Sequence, residues 1–424
     1  MKNRVIALIV YALLCSCLPA TIRAEYGMER KAAAAFVRGN DLWIASGPEE
    51  KQLTRGEYIR SPRWSHDGNW LAFSKGKEEN EVWMYHLATG RMRQAGQGRN
   101  AQWSPSRNLL ALQSEEPRRT LYVIDTEGKR EPRRIADHVG NYSWQPDGTG
   151  LLYSRESRLL PDGKWSDIKL YTVTLTPGKA ARSQLFYTVR SQGQDFFAVT
   201  TSRFKWSADG KWIAFIAVPT ASMSADGNTL CLLSADGRVF TKAGHMLNYE
   251  EWFQWGPQGS TLAYIEGYGR EAASNKRLTV LTGMPSLLQK TYTPSGYADR
   301  DLAWLDQDTL VAARAKEAVW TGDPNERPLP SLVLVNLGGG RQPEITRPPR
   351  SVGDFFPVLL KDAGRLAWVR TDRSKAYMML ARPDGRRPVQ WLRNLTLPAG
   401  YYEHWSWSEV IGYPGMIPDD EAGK

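Results

Sequence analysis

The chain has few cysteines, few histidines and no long hydrophobic run beyond its first residues. Its three cysteines are Cys15, Cys17 and Cys231, and two of them lie within the first 20 positions. Three cysteines cannot build a disulfide-stabilised scaffold, so the fold has to depend on a buried core. No apolar stretch reaches the ~20 residues that a membrane-spanning helix needs. The only stretch that is apolar enough to contact a membrane is N-terminal.

Sequence motifs of several large functional classes are also missing. There is no G-x-S-x-G nucleophile elbow, no phosphate-binding loop and no dinucleotide fingerprint. The five histidines show no metal-ligand spacing, and the Asp-Gly pairs lack the twelve-residue pattern of a calcium loop. Lys and Arg exceed Asp and Glu by 10, but no basic block with interleaved aromatics indicates nucleic-acid binding.

Aromatic residues, in contrast, are abundant. They make up 11% of the chain and include 17 Trp, a bias that favours strands over helices. Hydrophobic residues reach 42%, which is enough for most of the chain to bury a core rather than remain disordered. The composition therefore predicts a folded protein that is rich in β-strands.

Residues 1–24 have the organisation of a secretory signal peptide. A short basic end precedes an apolar run of 14 residues at positions 5–18, which is too short to span a membrane as a helix. Cleavage after Ala24 removes three basic residues, lowers the formal charge from +10 to +7 and leaves Cys231 as the only cysteine. The alternatives are a lipoprotein signal with lipid on Cys17 and an uncleaved anchor. Each of the three predicts export.

A repeat runs through the rest of the chain. The segment SPRWSHDGNWLAFSKG at 61–76 recurs as NAQWSPSRNLLALQS at 100–114, NYSWQPDGTGLLYSR at 141–155, RFKWSADGKWIAFIA at 203–217 and WFQWGPQGSTLAYIE at 252–266. Weaker copies occupy 301–314 and 356–370. The anchor position of the seven copies is occupied by Trp64, Trp103, Trp144, Trp206, Trp255, Trp304 and Leu359. The shortest anchor spacings, 39 and 41 residues, are typical of one four-stranded propeller blade of ~40–45 residues.

Each copy is predicted to fold as a small antiparallel sheet. A strand ends in a tight turn such as Asp67-Gly68 or Asp209-Gly210, where glycine tolerates the positive φ that chain reversal requires. A second apolar strand and a third apolar run, for example 82–85, come next. A polar turn then leads to a short charged strand, and such a strand suits a sheet edge that has no outer neighbour.

This pattern resembles the TolB-like β-propeller repeat, whose consensus is close to W-S-P-D-G followed by I-A-F. The resemblance covers residues 33–408 and implies an all-β, single-domain bacterial propeller of four-stranded blades. Seven anchored copies and one composite blade predict eight blades, and seven blades are the alternative. The composite blade would combine residues 33–54 with a C-terminal strand in 400–410, anchored by Trp405 or Trp407. Pairing of the chain ends removes two open sheet edges. Residues 409–424 are predicted to form a flexible tail.

The longer loops are predicted to project from one face of this propeller. They lie between the second and third strands, at 156–168, 218–228, 267–276 and 315–330, and in the blade-to-blade connection 189–201. Insertions on one face of a repeat protein often form its binding surface. Aromatic and arginine side chains in these loops are candidate binding anchors: Trp165, Phe196, Phe197, Tyr268, Arg270 and Trp320. The alternative is that these side chains only pack the loops against the blades.

A second candidate site is the channel mouth on the same face. Residues about four positions before each anchor are predicted to line it: Arg60, Arg99, Arg203, Glu251, Arg300, Asp354 and Glu403. Such a ring has a slight positive excess and could hold a carboxylate through bidentate arginine contacts. The alternative is that these charges pair across the channel and only stabilise the ring.

The repeat and the missing catalytic motifs predict an exported, non-enzymatic propeller that binds a protein or peptide of the cell envelope at this face. We expect a monomer without cofactor, metal or nucleic acid, in the periplasm, envelope or outside the cell. It could associate with the membrane peripherally or through lipid on Cys17. One alternative is a metal-dependent carbohydrate lyase or hydrolase whose His138, His245 and His404 converge near the channel. The other is a purely structural envelope protein.

Overall fold

A computed structural model describes residues 31–115, 117–126 and 131–415, and nearly all elements in this part of the chain are β-strands. The strands form eight successive antiparallel sheets, which are the blades of a β-propeller. The prediction of an eight-bladed propeller is confirmed, and the seven-bladed alternative is wrong. The predicted signal peptide, residues 1–24, and residues 416–424 of the predicted tail lie outside the described residues.

The first four blades have four strands each, and the order of strands in every blade runs from the channel outward. Blade 1 consists of Ile411–Gly412, Ala33–Arg38, Asp41–Ser46 and Glu49–Gln52. Blade 2 consists of Ile59–Trp64, Trp70–Lys75, Glu81–His86 and Met92–Gln97. Blade 3 consists of Arg99–Trp103, Leu109–Gln113, Leu121–Asp125 and Arg133–Ala136. Blade 4 consists of Tyr142–Trp144, Gly150–Arg155, Ile168–Thr174 and Ser183–Val189.

The last four blades are less regular. Blade 5 has a divided inner strand and consists of Thr200–Thr201 with Lys205–Trp206, Trp212–Val218, Asn228–Ser234 and Phe240–Met246. Blade 6 consists of Phe253–Trp255, Leu262–Glu266, Arg277–Thr282 and Leu288–Thr291. Blade 7 consists of Tyr297–Trp304, Thr309–Lys316 and Ser331–Asn336, with a single bridge from Val333 to Glu344 at its outer edge. Blade 8 consists of Gly353–Leu360, Arg365–Thr371, Ala376–Ala381 and Val389–Leu395.

Short elements connect the blades on one face or the other. Two small hairpins pair Gln192–Gly193 with Phe196–Phe197, and Gly400–Tyr401 with His404–Trp405. The described helices are the α-helix Ala221–Asp226 and the 3-10 helices Glu250–Trp252, Pro324–Glu326, Lys361–Ala363 and Trp407–Glu409. The core lies between blades, and every residue of Trp212–Val218 and Asn228–Ser234 is buried because both faces of a blade are covered.

An indole hydrogen bond joins neighbouring blades at their innermost strands. Trp103 Nε1–H donates to the carbonyl of Arg63 at 3.0 Å, and Trp144 Nε1–H donates to the carbonyl of Gln102 at 3.1 Å. In both cases the acceptor directly precedes the anchor of the previous blade. The same bond is made by Trp255 to Lys205 at 2.9 Å, Trp304 to Gln254 at 3.2 Å and Trp64 to Gly412 at 3.1 Å. The anchor therefore both packs and hydrogen-bonds across the blade boundary.

The two chain ends share blade 1, as predicted. Ile411–Gly412 pairs antiparallel with Ala33–Arg38, and the N–H of Val37 donates to the carbonyl of Val410 at 2.9 Å. The indole bond from Trp64 to Gly412 then ties the closing strand to blade 2. The ring is thus closed by backbone pairing on one side and by a tryptophan on the other.

The closing strand lies later in the chain than we predicted. It follows residues 400–410 instead of lying within them, and the position after Gly412 makes Tyr413, rather than Trp405 or Trp407, the anchor of blade 1. Tyr413 is buried, and its hydroxyl donates to the sulfur of Met378. The first residues of the predicted tail are therefore part of the propeller.

A β-bulge interrupts the innermost strand of four blades, three positions before the anchor. Ser61, Asn100, Asp301 and Phe356 have φ angles between 44° and 55°, a left-handed conformation that is uncommon for residues other than glycine. The strand pairing shifts at the same four places. Because a bulge breaks the alternation of side chains, counting back from the anchor does not identify the residues that face the channel.

The Asp-Gly turns on the opposite face are also linked from blade to blade. Gly68, Gly148 and Gly210 have φ angles of 66° to 70°, as the turn prediction requires. Asp67 accepts hydrogen bonds from Ser65 in its own turn at 2.6 Å and from Asn108 of blade 3 at 2.6 Å. Burial alone would raise the pKa of Asp67, but these bonds and those from Asn69 lower it to about 2.

We expect Trp144→Phe to destabilise the protein by about 1–2 kcal/mol more than Trp368→Phe, because only Trp144 donates an indole hydrogen bond to a neighbouring blade. Trp368 is a matched control: it is fully buried, and its Nε1 has no partner among the described residues. Urea unfolding of both variants measures the difference. Equal losses of unfolding free energy would contradict a stabilising role for the indole bond.

We expect Asp67→Asn to destabilise the protein at pH 7, and the difference from wild type to shrink as the pH falls from 4 to 2. The folded pKa of Asp67 lies below the unfolded value of ~3.9, so its stabilisation is present above that value and is lost as the pH falls through the folded pKa. Urea unfolding of both proteins across this pH range measures the difference in unfolding free energy. Asp147→Asn is the control, because among the described residues its carboxylate accepts bonds only from Thr149 in its own turn.

Candidate functional site

The long loops of blades 5, 6 and 7 lie side by side on one face. The N–H of Gly269 donates to the carbonyl of Asp226 at 2.8 Å, and the N–H of Ala318 donates to the carbonyl of Ala273 at 2.9 Å. We call the surface formed by loops 156–168, 189–201, 218–228, 267–276 and 315–330, together with residues 400–405, the loop-rich face. Its hydrogen bonds give it a defined shape.

The predicted aromatic anchors of blades 4 and 5 pack against their own loops. The rings of Trp165 and Phe197 are 6.2 Å apart, which joins loop 156–168 to the small hairpin in the 189–201 connection. Phe196 is half-buried and packs on the core between blades 4 and 5. These three side chains therefore fix the positions of two connections, and little of their surface remains for a partner.

The other predicted anchors differ in exposure. Tyr268 is 50% exposed and lies 4.5 Å from the ring of His245. Arg270 forms a two-bond ion pair with Asp226 and donates to the hydroxyl of Tyr401 at 3.0 Å. Trp320 packs on Tyr402 at 4.7 Å, with the Arg327 guanidinium 4.1 Å from its ring centroid. Of the predicted set, Tyr268 offers the most exposed apolar surface.

Exposed apolar side chains, which the sequence analysis did not single out, add to this surface. Val319 is 89% exposed, and the further examples are Leu159 at 60%, Met223 at 54%, Tyr401 at 47% and Leu160 at 42%. They come from the loops of blades 4, 5 and 7 and from residues 400–405. For Leu159, Leu160, Met223 and Val319, the signal that could have found them is their position within loops already chosen for their length, whereas Tyr401 lies outside those loops. A search restricted to aromatic and arginine residues misses the aliphatic ones.

Residues 400–405 form a hairpin over the channel mouth, which we call the mouth hairpin. Arg300 Nη2–H donates to the carbonyl of Glu403 at 2.6 Å. The Glu403 carboxylate accepts hydrogen bonds from Arg327 at 3.0 Å and Arg373 at 2.5 Å. These three arginines come from blades 7 and 8 and their loops, so the hairpin is held on that side by charge-assisted bonds.

The mouth hairpin also buries His404. Its ring stacks on Tyr249 at 4.4 Å and meets Trp252 edge to face at 4.8 Å, and its Nε2 is 3.0 Å from the carbonyl of Arg270. Burial and the charge of Arg300 hold the pKa of His404 well below its ordinary value, so the ring is neutral at pH 7. The ring therefore packs as an aromatic group.

The histidines do not assemble the metal site that the lyase alternative requires. His138 is exposed, and its backbone N–H donates to the carbonyl of Arg118, whereas His404 is enclosed by aromatic rings. The ring of His245 packs against that of Tyr268 at an interplanar angle of 31°. Within the described ranges, no three His, Cys, Asp or Glu side chains are placed where they could hold a metal ion. The predicted convergence near the channel is therefore wrong for these residues.

The structure does not bring the seven predicted mouth residues together into one ring. Asp354 is fully buried and accepts two hydrogen bonds from Arg370 on the adjacent strand, at 2.6 and 2.8 Å. Arg60 is buried, donates to Asn40 at 3.1 Å and lies 4.3 Å from the ring centroid of Tyr58. The charge of Asp354 is thus paired with Arg370, whereas the Arg60 guanidinium is satisfied by neutral hydrogen-bond acceptors and an aromatic ring.

The remaining members of the set also have near partners. Arg99 is exposed at the rim and donates to Glu115 at 2.8 Å. Arg203 forms an ion pair with Glu250, and Glu251 accepts a hydrogen bond from Ser408 at 2.6 Å. Arg300 and Glu403 hold the mouth hairpin. Arg99 and Arg203 therefore pair with acids of nearby elements, whereas the bond from Ser408 to Glu251 joins the segment before the closing strand of blade 1 to blade 6.

Charged side chains line part of one cavity in the channel. A cavity of about 140 Å³, which we call the inner chamber, is lined by charged side chains that include Arg63, Arg203, Lys205, Glu250, Glu251 and Asp301. The sequence analysis predicted only Arg203 and Glu251 of this group. Arg63 and Lys205 directly precede their anchors, so the position one residue before the anchor was the signal that could have identified them.

Comparison with known proteins supports the fold and nothing more specific. Neither a protein-family model nor a curated protein matches the chain. A eukaryotic initiation factor structure matches 86% of this chain and 97% of its own, with 11% identity and a TM-score of 0.51. A prolyl endopeptidase structure matches 80% of this chain and 50% of its own, with 12% identity and a TM-score of 0.50.

TolB from Acinetobacter baumannii is also among the matched structures, with 18% identity, a TM-score of 0.38 and coverage of 62% of this chain and 64% of its own. The chain spans between 50% and 64% of the length of the first four structures that it matches. At these identities the likeness shows the fold alone. The predicted propeller of TolB-like repeats is confirmed at that level.

We expect Glu403→Gln to increase hydrogen exchange of the backbone amides in the mouth hairpin by about tenfold or more, because Arg327 and Arg373 lose their shared carboxylate. Glu326→Gln is the control, since Glu326 is exposed and, in the part of the chain that the structure describes, its carboxylate accepts a bond only from Thr321. Amide exchange followed by mass spectrometry measures both. Equal exchange of residues 400–405 in the two variants would show that Glu403 does not hold the hairpin.

Proposed function

We propose that this chain is an exported, non-enzymatic β-propeller that binds a protein partner of the cell envelope through its loop-rich face. The observation that carries the proposal is that several loops of this one face expose large apolar side chains, with Val319 and Leu159 the most exposed. Large apolar side chains exposed on a folded protein commonly contact another protein.

The stiffness of the loops supports recognition by a preformed surface. Lys276 is fully buried, and its ammonium donates to the carbonyls of Tyr268, Gly269 and Ser274 at 2.8, 2.7 and 2.9 Å. Burial lowers the pKa of Lys276 to about 8. Three bonds from one ammonium fix the loop that presents Tyr268. A loop ordered before binding loses less conformational entropy when a partner binds.

Export and an envelope location complete the proposal. Their support is the predicted signal peptide at residues 1–24 and the resemblance of the repeat to TolB-like propellers. None of the helices among the described residues is long and apolar enough to cross a membrane. We propose a monomer, and attachment through lipid on Cys17 remains the alternative to a cleaved, freely diffusing form.

We expect Val319→Asp and Leu159→Asp, combined, to reduce partner binding by about tenfold or more, because an interface cannot bury unpaired carboxylates without a large desolvation cost. Leu288→Asp combined with Val389→Asp is the matched control, since both residues are exposed at 67% and 56% on outermost strands, away from the loop-rich face. Photo-crosslinkers placed at positions 319 and 288 identify the partner in envelope extracts, and titration of the purified partner measures affinity. Equal binding of the two double variants, or crosslinking only from position 288, would refute the proposal.

A further inference from the structure

The outermost strand of each blade has an outer edge that no further described strand covers. Such an edge can pair with a strand of another molecule, and proteins prevent this with charged side chains, proline, bulges or a covering segment. In seven blades the outermost strand or bridge contains at least one charged residue: Glu49, Arg93, Arg133, Lys242, Lys290, Glu344 and Arg393. Blade 4 is the exception.

The outermost strand of blade 4 is Ser183–Val189, with the sequence SQLFYTV. It contains no charged residue and no proline, and its second half consists of residue types that favour strands. The first three residues are exposed, and Leu185 is 51% exposed. This edge therefore lacks the charge that the other seven blades carry and presents an apolar side chain to solvent.

The backbone of Ser183–Val189 has hydrogen-bonded neighbours on one side only. Its residues pair with the strand Ile168–Thr174, from Val189 opposite Ile168 to Ser183 opposite Val173. Within the described ranges, no turn or loop makes a backbone hydrogen bond to residues 183–189. Because backbone groups of an edge strand point alternately toward and away from its single neighbour, half of them are available to another chain.

The strand is held in place before any partner binds. The ring of Tyr187 stacks on that of Phe240 of blade 5 at 5.5 Å, and Phe186 packs on the core between blades 4 and 5. A β-bulge interrupts the pairing between Leu185 and Tyr187. The outermost strands of blades 2, 3, 5 and 8 have bulges and charges together, so the bulge is not what distinguishes blade 4.

An exposed arginine lies at each end of this edge. Arg182 directly precedes the strand and Arg190 directly follows it, and neither forms an ion pair with a carboxylate in the part of the chain that the structure describes. Asp167 lies near the second end, where it accepts the N–H of Ser191 at 3.1 Å. At the first end, Arg182 lines a groove with Lys179 and Gln184, and no described acidic residue lines that groove.

These charges distinguish a second copy of the chain from a different partner. Two copies that pair antiparallel about Phe186 would place Arg182 of each opposite Arg190 of the other, because both lie four positions from Phe186. Parallel pairing in register would align each arginine with itself. Like charges directly opposite each other destabilise a strand pair. The segment that fits is therefore one with an uncharged centre and acidic residues at its ends.

We propose that the outer edge of Ser183–Val189 binds an extended segment of a partner protein, which adds a strand to blade 4 and places acidic residues beside Arg182 and Arg190. Backbone hydrogen bonds supply affinity, while Leu185 and the two arginines select the sequence. This site lies on the rim of the propeller, next to the 189–201 connection, and does not depend on the binding by the loop-rich face proposed above.

Fluorescence anisotropy titration of the purified protein with three labelled peptides tests the partner class. The first peptide alternates Thr and Val between Glu ends, the second has Lys ends instead, and the third has Glu ends but Pro in place of each Val. We expect the first to bind about tenfold more tightly than the second or better, and the third not to bind, because proline has no N–H for the edge. Absence of binding by the first peptide, or equal binding of the first and either other peptide, would overturn the proposal.

Arg182→Glu combined with Arg190→Glu tests the location. Both residues are exposed, so we expect the variant to fold, to lose the peptide with Glu ends and to bind the one with Lys ends. Arg341→Glu combined with Arg386→Glu changes the net charge equally on exposed turns of blades 7 and 8 and should bind as wild type does. An unchanged peptide preference in the first double variant, or the same loss in the second, would refute the site.

Leu185→Glu gives blade 4 the charged edge that the other blades have, so we expect it to weaken binding of the peptide with Glu ends by about tenfold or more. Leu288→Glu is the control, because Leu288 is 67% exposed on the outermost strand of blade 6. Val319→Asp combined with Leu159→Asp should bind the peptide normally, which separates this site from the loop-rich face. Sedimentation that shows a wild-type dimer dissociated by Leu185→Glu would identify a second copy as the occupant and contradict the proposal.

Discussion

The hydrogen bond from an anchor indole to the preceding blade is the interaction on which the architecture depends. A sheet of four short strands cannot bury its faces alone, so each blade needs its neighbours. Packing between the apolar faces of neighbouring blades supplies most of the free energy of their association, but it does little to fix their relative position. The indole hydrogen bond fixes how two blades are placed relative to each other, because the Trp103 N–H donates to one particular carbonyl, that of Arg63 in the innermost strand of the preceding blade. The same kind of bond, from Trp64 of blade 2 to the carbonyl of Gly412, attaches the closing strand of blade 1 to blade 2.

Most of the fold could be predicted because the tryptophan that makes this hydrogen bond recurs along the sequence, about once per blade. Tryptophan followed by an Asp-Gly turn identifies a strand, its reversal and the next strand, as the conformation of Gly68 shows. The closing strand was harder to place. Trp405 and Trp407 look like anchors, but the anchor is Tyr413, and a backbone carbonyl of glycine is the acceptor that Trp64 uses. An acceptor of this kind leaves no trace in the sequence.

The candidate site could be predicted only in outline. Loop lengths identified the face, because loops at equivalent positions of successive blades emerge on the same side. They did not predict which side chains stay exposed: Trp165 and Phe197 pack on each other, while Val319 remains in solvent. Nor could they predict the channel lining. Left-handed bulges such as Ser61 and Asn100 break the side-chain alternation, and ion pairs such as Asp354 with Arg370 form between strands that are adjacent in the fold.

Blade 1 imposes an order of assembly on the chain. Three of its strands are among the first described residues to be synthesised, but the innermost one, Ile411–Gly412, is among the last. Until that strand arrives, the inner edge of Ala33–Arg38 has no partner, and blade 2 lacks the carbonyl that Trp64 uses. Seven blades can therefore be complete while the circle is still open. Synthesis of Ile411–Gly412, rather than the folding of any one earlier blade, is the event that allows the propeller to close.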